Sequence, residues 1–541
     1  MSRRQAVLVA LLGIGCATGS AAVVIRSAKD DRAATSSTPE GATAPVARTY
    51  EHRTKLPAEA TRQVPAGFAK ARGWLNVTRV PTERDLAGRV VVVDFWTSCC
   101  INCMQTLPTL AALEKKHARD PFLVVGVHTQ KFDAEPEIER LRASVIRMGV
   151  THPVAIDGDR GVWEAWDVAG WPTVVVLDAK GRVVWNQSGE PDPDELDAVI
   201  ESALAEGADE GALAKDAPSF LGREIDASSP LAYPEKIAAV PGGFAIADSG
   251  HDRIVFVDDA GKVTDVVGDG TRGLADGAFG SARFAHPQGM VASGDVVYVA
   301  DTENHAVRMI DRKNKRVSTI AGTGELGREP LSGTQDGKTF ALRSPWDVAL
   351  VGSTLYVALA GSHQIAIVDP ATSKVTLFAG TSSENRKDGP RLAAAFAQPS
   401  GLATDGKDLF VLDSETSSVR KIELATGEVS TLVGKALFVW GDVDGDGATA
   451  RLQHPVGLTY GGGALWVADT YNSKVKRIDA ATGETKTITG GASHEALFEP
   501  AGLAWSSGKL LVADTDHGRI VSVSPGTMTA SPWAIDGLKA P

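Results

Sequence analysis

The chain has 541 residues, too many for a single hydrophobic core, which indicates two or three domains. Its 55 Lys and Arg residues against 67 Asp and Glu residues give a net charge of -12, which disfavours contact with phosphate backbones, so we expect no nucleic-acid partner. Three of the four cysteines lie between positions 99 and 103. Cysteines clustered in this way cannot form the disulfides that would stabilise so large a fold, so they indicate a chemical role.

The N-terminal residues 1–28 have the pattern of a membrane anchor or an export signal. Arg3 and Arg4 precede an apolar run over 6–25, which is long enough to span a bilayer at about 1.5 Å per helical residue. The leading arginines favour a cytoplasmic N-terminus and an exported body. Retention as an anchor, cleavage and lipidation at Cys16 all stay open. We therefore expect a periplasmic or cell-envelope protein that is attached to the membrane through residues 6–25.

The next two segments differ in composition. Residues 29–65 are rich in Ala, Ser, Thr and Pro and poor in large apolar side chains, which predicts a disordered linker. Residues 66–207 alternate apolar runs such as RVVVVDFW, FLVVGVHT and TVVVLD with helical patterns. This alternation predicts an α/β domain with a central sheet.

The segment VVVDFWTSCCINC places a C-x-x-C pair where a buried strand gives way to a helix. A thiolate at a helix N-terminus is stabilised by free N–H groups and by the helix dipole, which suits Cys100 to act as the nucleophile. Cys103 lies one helical turn later and more deeply buried. It can therefore attack a mixed disulfide on Cys100 and release the reduced partner.

The same segment resembles the thioredoxin superfamily pattern V-D-F-W-x-x-x-C-x-x-C. The resemblance implies that Asp94 is the buried carboxylate that assists the resolving thiol and that Trp96 packs beneath the site. Farther along the chain, the tripeptide Trp171, Pro172 and Thr173 matches the family's cis-proline loop, which lies opposite the cysteines and leaves backbone groups for a substrate.

The motif also departs from the thioredoxin pattern. Cys99 replaces a Trp, and Ile101 with Asn102 replaces Gly-Pro, so neither the redox potential nor the substrate surface carries over. Cys99 is either a third redox thiol or a small buried residue facing away from Cys100, and we favour the second. His128 ends a predicted strand and could approach the redox site. A closed zinc site needs four ligands, which the cysteine cluster does not supply, so we expect no metal and no cofactor.

Residues 208–541 consist of six similar segments of short predicted strands. Each segment begins at a proline, and successive prolines are 45 to 58 residues apart, a period that suits four-stranded propeller blades. The prolines are Pro234, Pro287, Pro345, Pro399, Pro455 and Pro500. His286 and His454 precede two of them and could line one mouth of the ring. We expect a strand within 219–228 to close the ring.

Each segment contains a turn of the ADT type, whose aspartate we interpret as structural because its carboxylate can bond the backbone. The aspartates are Asp248, Asp301, Asp413, Asp469 and Asp514, and the third segment has Leu359 instead. The segments resemble NHL repeats over about 225–530, which implies a six-bladed propeller.

The segment GDVDGDG resembles a calcium loop, but Gln453 stands where that loop needs Glu. Asp444 instead recurs as Asp276 and Asp388, each 11 residues before a blade proline. This recurrence favours a turn between blades.

We therefore expect a multidomain protein with an α/β thioredoxin-like fold followed by an all-β six-bladed NHL-type propeller. The first domain resembles the extracytoplasmic thioredoxins of the TlpA and ResA type, and CCINC joined to NHL repeats resembles the NHL-repeat-containing protein 2 family. The expected function is thiol–disulfide exchange with a protein partner and an electron donor, the propeller binding a protein ligand. The alternative is a non-enzymatic scaffold. A propeller hydrolase or lyase would need acidic or His residues converging at the ring's mouth.

Overall fold

The computed structural model describes residues 49–57, 66–133, 135, 137–226, 229–491 and 496–541. The predicted anchor and most of the predicted linker lie outside these residues. Among the residues described, no helix combines the length and the apolar character that a membrane crossing requires.

The first domain is built on a six-stranded sheet in the order β1-β4-β3-β2-β5-β6. Strand β2 runs parallel to β3 and antiparallel to β5, and it is buried at every position. Helices α2 and α5 cover one face of the sheet and α4 packs on the other, which explains the continuous apolar sequence of β2. The strands are β1 (Gly73–Leu75), β2 (Val90–Trp96), β3 (Phe122–Thr129), β4 (Val154–Asp157), β5 (Thr173–Leu177) and β6 (Val183–Ser188); the helices are α1 (Glu83–Leu86), α2 (Ile101–Lys116), α3 (Ile138–Arg147), α4 (Gly161–Ala165) and α5 (Pro193–Asp209), after a 3-10 turn at Ala66–Lys70.

The prediction of a disordered linker was wrong for residues 49–57. Leu56 is buried in the core between the sheet and α5. The backbone N–H of Arg53 donates to Ser202 Oγ at 2.9 Å, and the Arg53 guanidinium pairs with Asp197. These contacts connect residues about 150 positions apart, so the local composition of the segment could not indicate them.

The predicted boundary at residue 208 also needs correction. Phe220 is buried in the thioredoxin-like core, and its carbonyl accepts a 2.8 Å hydrogen bond from the backbone N–H of Thr78. The first propeller strand does not begin until Pro234. The segment after α5 therefore packs with the first domain as far as Glu224, whose N–H donates to Asn76 Oδ1 at 2.7 Å.

The second domain has six antiparallel sheets arranged as blades, each made of consecutive strands. Blades 2, 3 and 4 carry an additional short strand on the outer edge, which precedes the innermost strand in sequence. The strands are β7 (Pro234–Val240), β8 (Gly243–Asp248), β9 (Arg253–Asp258) and β10 (Val263–Val267) in blade 1; β11 (Gly277–Ala278), β12 (Pro287–Ser293), β13 (Val296–Asp301), β14 (Ala306–Asp311) and β15 (Arg316–Ala321) in blade 2; β16 (Thr334–Asp336), β17 (Pro345–Val351), β18 (Thr354–Leu359), β19 (Gln364–Asp369) and β20 (Lys374–Ala379) in blade 3; β21 (Gly389–Pro390), β22 (Pro399–Thr404), β23 (Asp408–Asp413), β24 (Ser418–Glu423) and β25 (Glu428–Val433) in blade 4; β26 (Gly457–Gly461), β27 (Ala464–Asp469), β28 (Lys474–Ile478) and β29 (Thr485–Gly490) in blade 5; and β30 (Pro500–Ser506), β31 (Lys509–Asp514), β32 (Arg519–Ser524) and β33 (Thr529–Pro532) in blade 6.

The predicted closure of the ring by a strand within 219–228 was wrong. Blade 6 completes itself with its own fourth strand, β33. The innermost strands β30 and β7 pack side by side, and the chain beyond β33 returns to blade 1, where Asp536 forms a β-bridge with Lys262. Every strand of blade 6 is local in sequence, so the ring is closed by the packing of β30 against β7 and by the hydrogen bonds of the C-terminal segment to blade 1.

The aspartate of each ADT turn holds the turn in place, as predicted. One carboxylate oxygen accepts the backbone N–H of the residue sixteen positions earlier, at 2.5 to 2.8 Å, in all five blades that have the aspartate. The hydroxyl of the following Ser or Thr donates to the carbonyl of the next blade's first proline, at 2.6 to 2.9 Å. The turn therefore ties neighbouring blades together.

The second carboxylate oxygen of each turn aspartate faces a cation of the same blade. Arg308 Nη1 lies 2.6 Å from Asp301, and Arg420 Nη1 lies 2.9 Å from Asp413, with all four side chains buried. In blade 3 the two corresponding residues are Leu359 and Ala366, so the charged pair is missing as a unit.

The GDVDGDG segment lies along the outer edge of blade 5, where Gly445 forms a β-bridge with Thr485, so the prediction of a turn between blades needs correction. Asp444 accepts the backbone N–H of Thr487 at 2.8 Å and pairs with Lys476 at 3.1 Å. Asp276 and Asp388 repeat this arrangement in blades 2 and 4.

We predict that Asp413→Ala lowers the free energy of unfolding by about 3–5 kcal/mol, because it removes the buried one of the two carboxylates that pair with the buried Arg420. The measurement is the shift of the propeller's denaturant-unfolding transition. Asp388→Ala removes the half-exposed carboxylate that contacts the same arginine and should cost only about 1 kcal/mol. A loss of about 1 kcal/mol or less in Asp413→Ala would contradict a structural role for the turn aspartate.

Candidate functional site

The candidate site begins with the two cysteines at the start of α2. Cys100 is the N-cap residue, and its Sγ accepts the backbone N–H of Cys103 at 3.4 Å. All three clustered cysteines are free thiols, and Cys103 is completely buried. Burial, together with the hydrogen bond to Cys100 and the charges of Cys100 and Asp94, raises the pKa of the Cys103 thiol. The arrangement places an N-cap thiol in front of a buried second thiol, as the motif predicts.

Asp94 lies on β2 beneath the cysteines, in the position that the sequence predicts. Burial raises the pKa of its carboxyl group to about 7, while the nearby His152 partly opposes this effect. Within the described part of the chain, neither oxygen of Asp94 has a hydrogen-bond partner. A carboxyl group in this state can exchange a proton near neutral pH, which is what a resolving thiol requires.

The supporting residues of the predicted site also lie around the redox loop. The Trp171–Pro172 peptide bond is cis, and Thr173 begins β5. Trp96 is buried and meets the ring of His128 edge-on, with 5.0 Å between ring centroids. His128 Nε2 accepts the backbone N–H of Ser98 at 3.1 Å. Through this hydrogen bond His128 supports the backbone of the loop that carries the cysteines. Burial lowers the pKa of the His128 imidazole.

The propeller covers the redox loop. Gln398, the residue before the first proline of blade 4, donates from Nε2 to the carbonyl of Cys99 at 3.0 Å. Its Oε1 accepts the backbone N–H of Ile101, also at 3.0 Å. Gln398 therefore brackets Cys100 through the backbone on both sides. Only 8% of the Cys100 surface remains exposed.

The neighbouring blade turns contact the same loop. Ser98 Oγ lies 3.2 Å from the Tyr471 hydroxyl of blade 5. Lys131, in the loop after β3, pairs with Glu415 of blade 4. Cys99 is buried against this side of the propeller, and burial raises the pKa of its thiol, with Glu135 and Glu415 adding to the effect. The structure agrees with the prediction that Cys99 is a small buried residue.

A buried ion cluster joins α3 to blade 6. Arg140 Nη1 lies 2.5 Å from Glu499 Oε1, and Arg147 lies 3.2 Å from Glu499 and 2.9 Å from Asp516. Arg140 also lies over the ring of Tyr471, at 5.4 Å from its centroid. Removing one member of such a cluster leaves an uncompensated buried charge, so the cluster specifies how the two domains meet.

Eight of the propeller residues in this interface occupy two recurring positions, neither of which was predicted to be functional from the sequence. One is the residue before each blade proline, which has positive φ in all six blades, from 42° to 63°. The other is the third residue of each blade turn. The first position supplies Ser344, Gln398, His454 and Glu499, and the second supplies Gly361, Glu415, Tyr471 and Asp516. Both positions recur at a fixed place in every repeat of the sequence, but the residue type at each position differs between blades.

A cleft of about 1270 Å³ lies between α2 and the propeller face. Its lining includes Ser98 and Ile101, which flank Cys99 and Cys100 in the sequence. At the mouth of the ring, His286 Nε2 lies 3.6 Å from Glu235, and Nδ1 lies 3.9 Å from Glu303. The cleft leads from the surface toward the redox loop.

Comparison with known proteins identifies both parts of the chain. Residues 88–183 match a thioredoxin-like family, and residues 284–308 match the NHL repeat. Human NHL repeat-containing protein 2 is 38% identical over 476 residues, covering 80% of this chain and 65% of that protein. The chloroplastic protein SUPPRESSOR OF QUENCHING 1 of Arabidopsis thaliana is 38% identical over 444 residues, covering 78% of this chain and 42% of that protein.

The chain spans less than two thirds of the length of either relative. A solved thiol-disulfide isomerase from Corynebacterium glutamicum is 25% identical, with a TM-score of 0.24, and covers 25% of this chain and 92% of that one. The resemblance that the motifs indicate is confirmed: a thioredoxin-like domain precedes an NHL-repeat propeller. This combination supports a redox-type or a binding role.

We predict that Asp94→Asn changes the pH dependence of stability. Between pH about 4 and about 7 the folded wild type binds a proton at Asp94 that the unfolded chain has released, so its stability falls as pH rises. An asparagine at position 94 has no such proton to release, so the variant does not lose stability in this way. Its melting temperature relative to wild type should therefore rise between about pH 5 and pH 8, by the equivalent of about 2–3 kcal/mol.

Asp157→Asn provides the matched control, because this buried carboxylate accepts hydrogen bonds from the backbone of Val162 and Trp163. It should lower the melting temperature at both pH values. A pH-independent difference between Asp94→Asn and wild type would show that Asp94 does not titrate in this range.

We also predict that Gln398→Ala makes Cys100 more reactive toward iodoacetamide, by about 10-fold, because two buried hydrogen bonds to the redox loop are lost. Peptide mapping by mass spectrometry measures the alkylation rate of Cys100. Gln335→Ala, in the outer strand β16, serves as the control and should leave the rate unchanged. An unchanged rate in Gln398→Ala would mean that Gln398 does not restrict access to Cys100.

Proposed function

We propose that this chain, in which a thioredoxin-like domain precedes an NHL-repeat propeller, is an extracytoplasmic thiol–disulfide oxidoreductase. The observation that carries the proposal is the arrangement of Cys100, Cys103 and Asp94. Cys100 caps α2, Cys103 N–H donates to its sulfur, and the Asp94 carboxyl group lies buried close enough to influence the pKa of Cys103. Each element has a defined task in disulfide exchange.

The proposed reaction has two steps. The Cys100 thiolate attacks one sulfur of a partner disulfide, which forms a mixed disulfide and releases the other partner sulfur as a thiolate. Asp94 then accepts the proton of Cys103, and the Cys103 thiolate attacks the Cys100 sulfur. The products are a Cys100–Cys103 disulfide and a partner dithiol. The reverse sequence oxidises a partner dithiol.

The partner is a protein, and the cleft between α2 and the propeller face supports this proposal. A partner segment that enters the cleft would reach Ser98 and Ile101, next to the nucleophile. The cycle also requires an electron donor. The location outside the cytoplasm rests on Arg3, Arg4 and the apolar run over 6–25, which we propose to be the membrane attachment.

A specific observation also favours the scaffold alternative. All three thiols are nearly or completely inaccessible, and the propeller holds the loop through Gln398. A thioredoxin fold that serves only to dock the propeller would be covered in this way. The two functions differ in whether Cys100 and Cys103 carry out repeated cycles of disulfide exchange.

We expect the reduced full chain to reduce the disulfides of insulin, and both Cys100→Ser and Cys103→Ser to abolish turnover. Cys103→Ser should in addition accumulate a mixed disulfide with insulin, because the resolving thiol is missing, whereas Cys100→Ser should form none. Turbidity measures turnover, and non-reducing electrophoresis detects the adduct. Equal activity in the wild type and both variants would favour the scaffold.

A redox titration of the Cys100/Cys103 couple assigns the direction. A potential far below about -200 mV identifies a reductant, and one near about -120 mV identifies an oxidant.

A further inference from the structure

Three potential metal ligands meet at the domain interface beside the redox loop. Cys99 comes from the loop before α2, Glu415 from the turn of blade 4, and His454 from the residue before the first proline of blade 5. One ligand atom from each lies within 4.8 Å of the others. The three residues are 1%, 3% and 3% exposed. Neither domain could form this group alone.

Two of these side chains carry buried polar atoms without partners. His454 Nδ1 and Glu415 Oε1 have no hydrogen-bond partner anywhere in the described chain. Leaving such an atom unsatisfied costs about 1–3 kcal/mol, and native proteins rarely do so without a reason.

The charges around the group are unbalanced in the direction that favours a cation. Two buried carboxylates lie beside a single ammonium group: Glu415 pairs with the Lys131 side chain, whereas Glu135 Oε2 accepts only the backbone N–H of Lys131, at 2.5 Å. Glu135 also accepts from Ser98 Oγ at 3.2 Å and from the Thr97 hydroxyl. One ammonium against two carboxylates leaves one negative charge in excess. A divalent cation that displaces the Cys99 proton adds one positive charge and restores neutrality.

We propose that Cys99, Glu415 and His454 bind a zinc ion across the domain interface. Sulfur, nitrogen and carboxylate oxygen are the donors that zinc uses, and three protein ligands with an open fourth position form a common zinc geometry. Ligand atoms in a tetrahedral site lie about 3.5 Å apart, so the observed group needs shifts of about 1 Å or less. Glu415 can bind zinc through one carboxylate oxygen while the other oxygen keeps its ion pair with Lys131.

Zinc at this position links the two domains. One ligand comes from the redox loop and two come from the propeller, so the ion stabilises the arrangement that covers Cys100. Binding releases the Cys99 proton and forms a Zn–S bond, with no change of oxidation state. The site uses neither Cys100 nor Cys103 as a ligand, so zinc binding does not require the redox reaction proposed above.

The test is zinc binding by the reduced full chain. We expect one zinc per chain after gel filtration, measured by elemental mass spectrometry, with the affinity obtained by competition against a chromophoric chelator. Cys99→Ser, Glu415→Gln and His454→Gln should each weaken binding at least about 10-fold. The double variant Cys100→Ser/Cys103→Ser should bind like wild type, although it cannot reduce insulin.

His286→Gln is the matched control for His454→Gln, because His286 also precedes a blade proline with positive φ. It should leave zinc affinity unchanged. Cobalt substitution of the wild type adds a measurement that needs no variant: a thiolate-to-cobalt charge-transfer band with tetrahedral visible bands is expected. The proposal is overturned if the wild type binds no zinc, if Cys99→Ser binds as tightly as wild type, if the double variant loses zinc, or if the cobalt spectrum lacks the thiolate band.

Discussion

The hydrogen bond that the turn aspartate accepts from the backbone N–H sixteen residues earlier, in five of the six blades, is the interaction on which the rest of the propeller depends. It fixes the 3-10 turn, and the next residue's hydroxyl then ties the turn to the following blade. With its first two residues fixed in this way, the turn presents its third residue to the thioredoxin-like domain. Glu415, Tyr471 and Asp516 all reach their interface partners from this position. One structural device therefore builds the ring and the docking surface together.

Docking changes the chemistry of the redox loop. An isolated thioredoxin-like domain would expose the N-cap thiol, whereas here Gln398 holds the backbone on both sides of Cys100. The burial that raises the pKa of Cys99 is partly supplied by the propeller. The reactivity of the loop is thus coupled to the fit between the domains. The buried ion cluster around Arg147 and Glu499 defines that fit.

The chemistry within the first domain was readable from the sequence because its signals are local. Cys100 and Cys103 lie within one helical turn, and Asp94 and Pro172 occupy positions that the thioredoxin pattern specifies. Gln398, about 300 residues from the cysteines, reaches them only through the docking of two rigid bodies, which no local pattern encodes. The ring-closing strand was predicted wrongly because blade 6 supplies all four of its own strands. Leu56 and Phe220 were missed because long-range packing overrides the composition of their segments.

Blade 3 shows why one repeat can depart from the pattern. Leu359 replaces the turn aspartate, Ala360 replaces the hydroxyl, and Ala366 replaces the arginine, so the whole polar set is missing and no buried charge is left unpaired. This apolar turn is where α2 approaches the propeller: Ala360 packs with Ile101, Met104 and Trp346. A Cβ atom at Gly361 would lie 2.0 Å from Gln105 Nε2, so the third turn residue is also constrained. The irregular repeat therefore accommodates the helix that carries the redox cysteines, and its irregularity is a consequence of the site it faces.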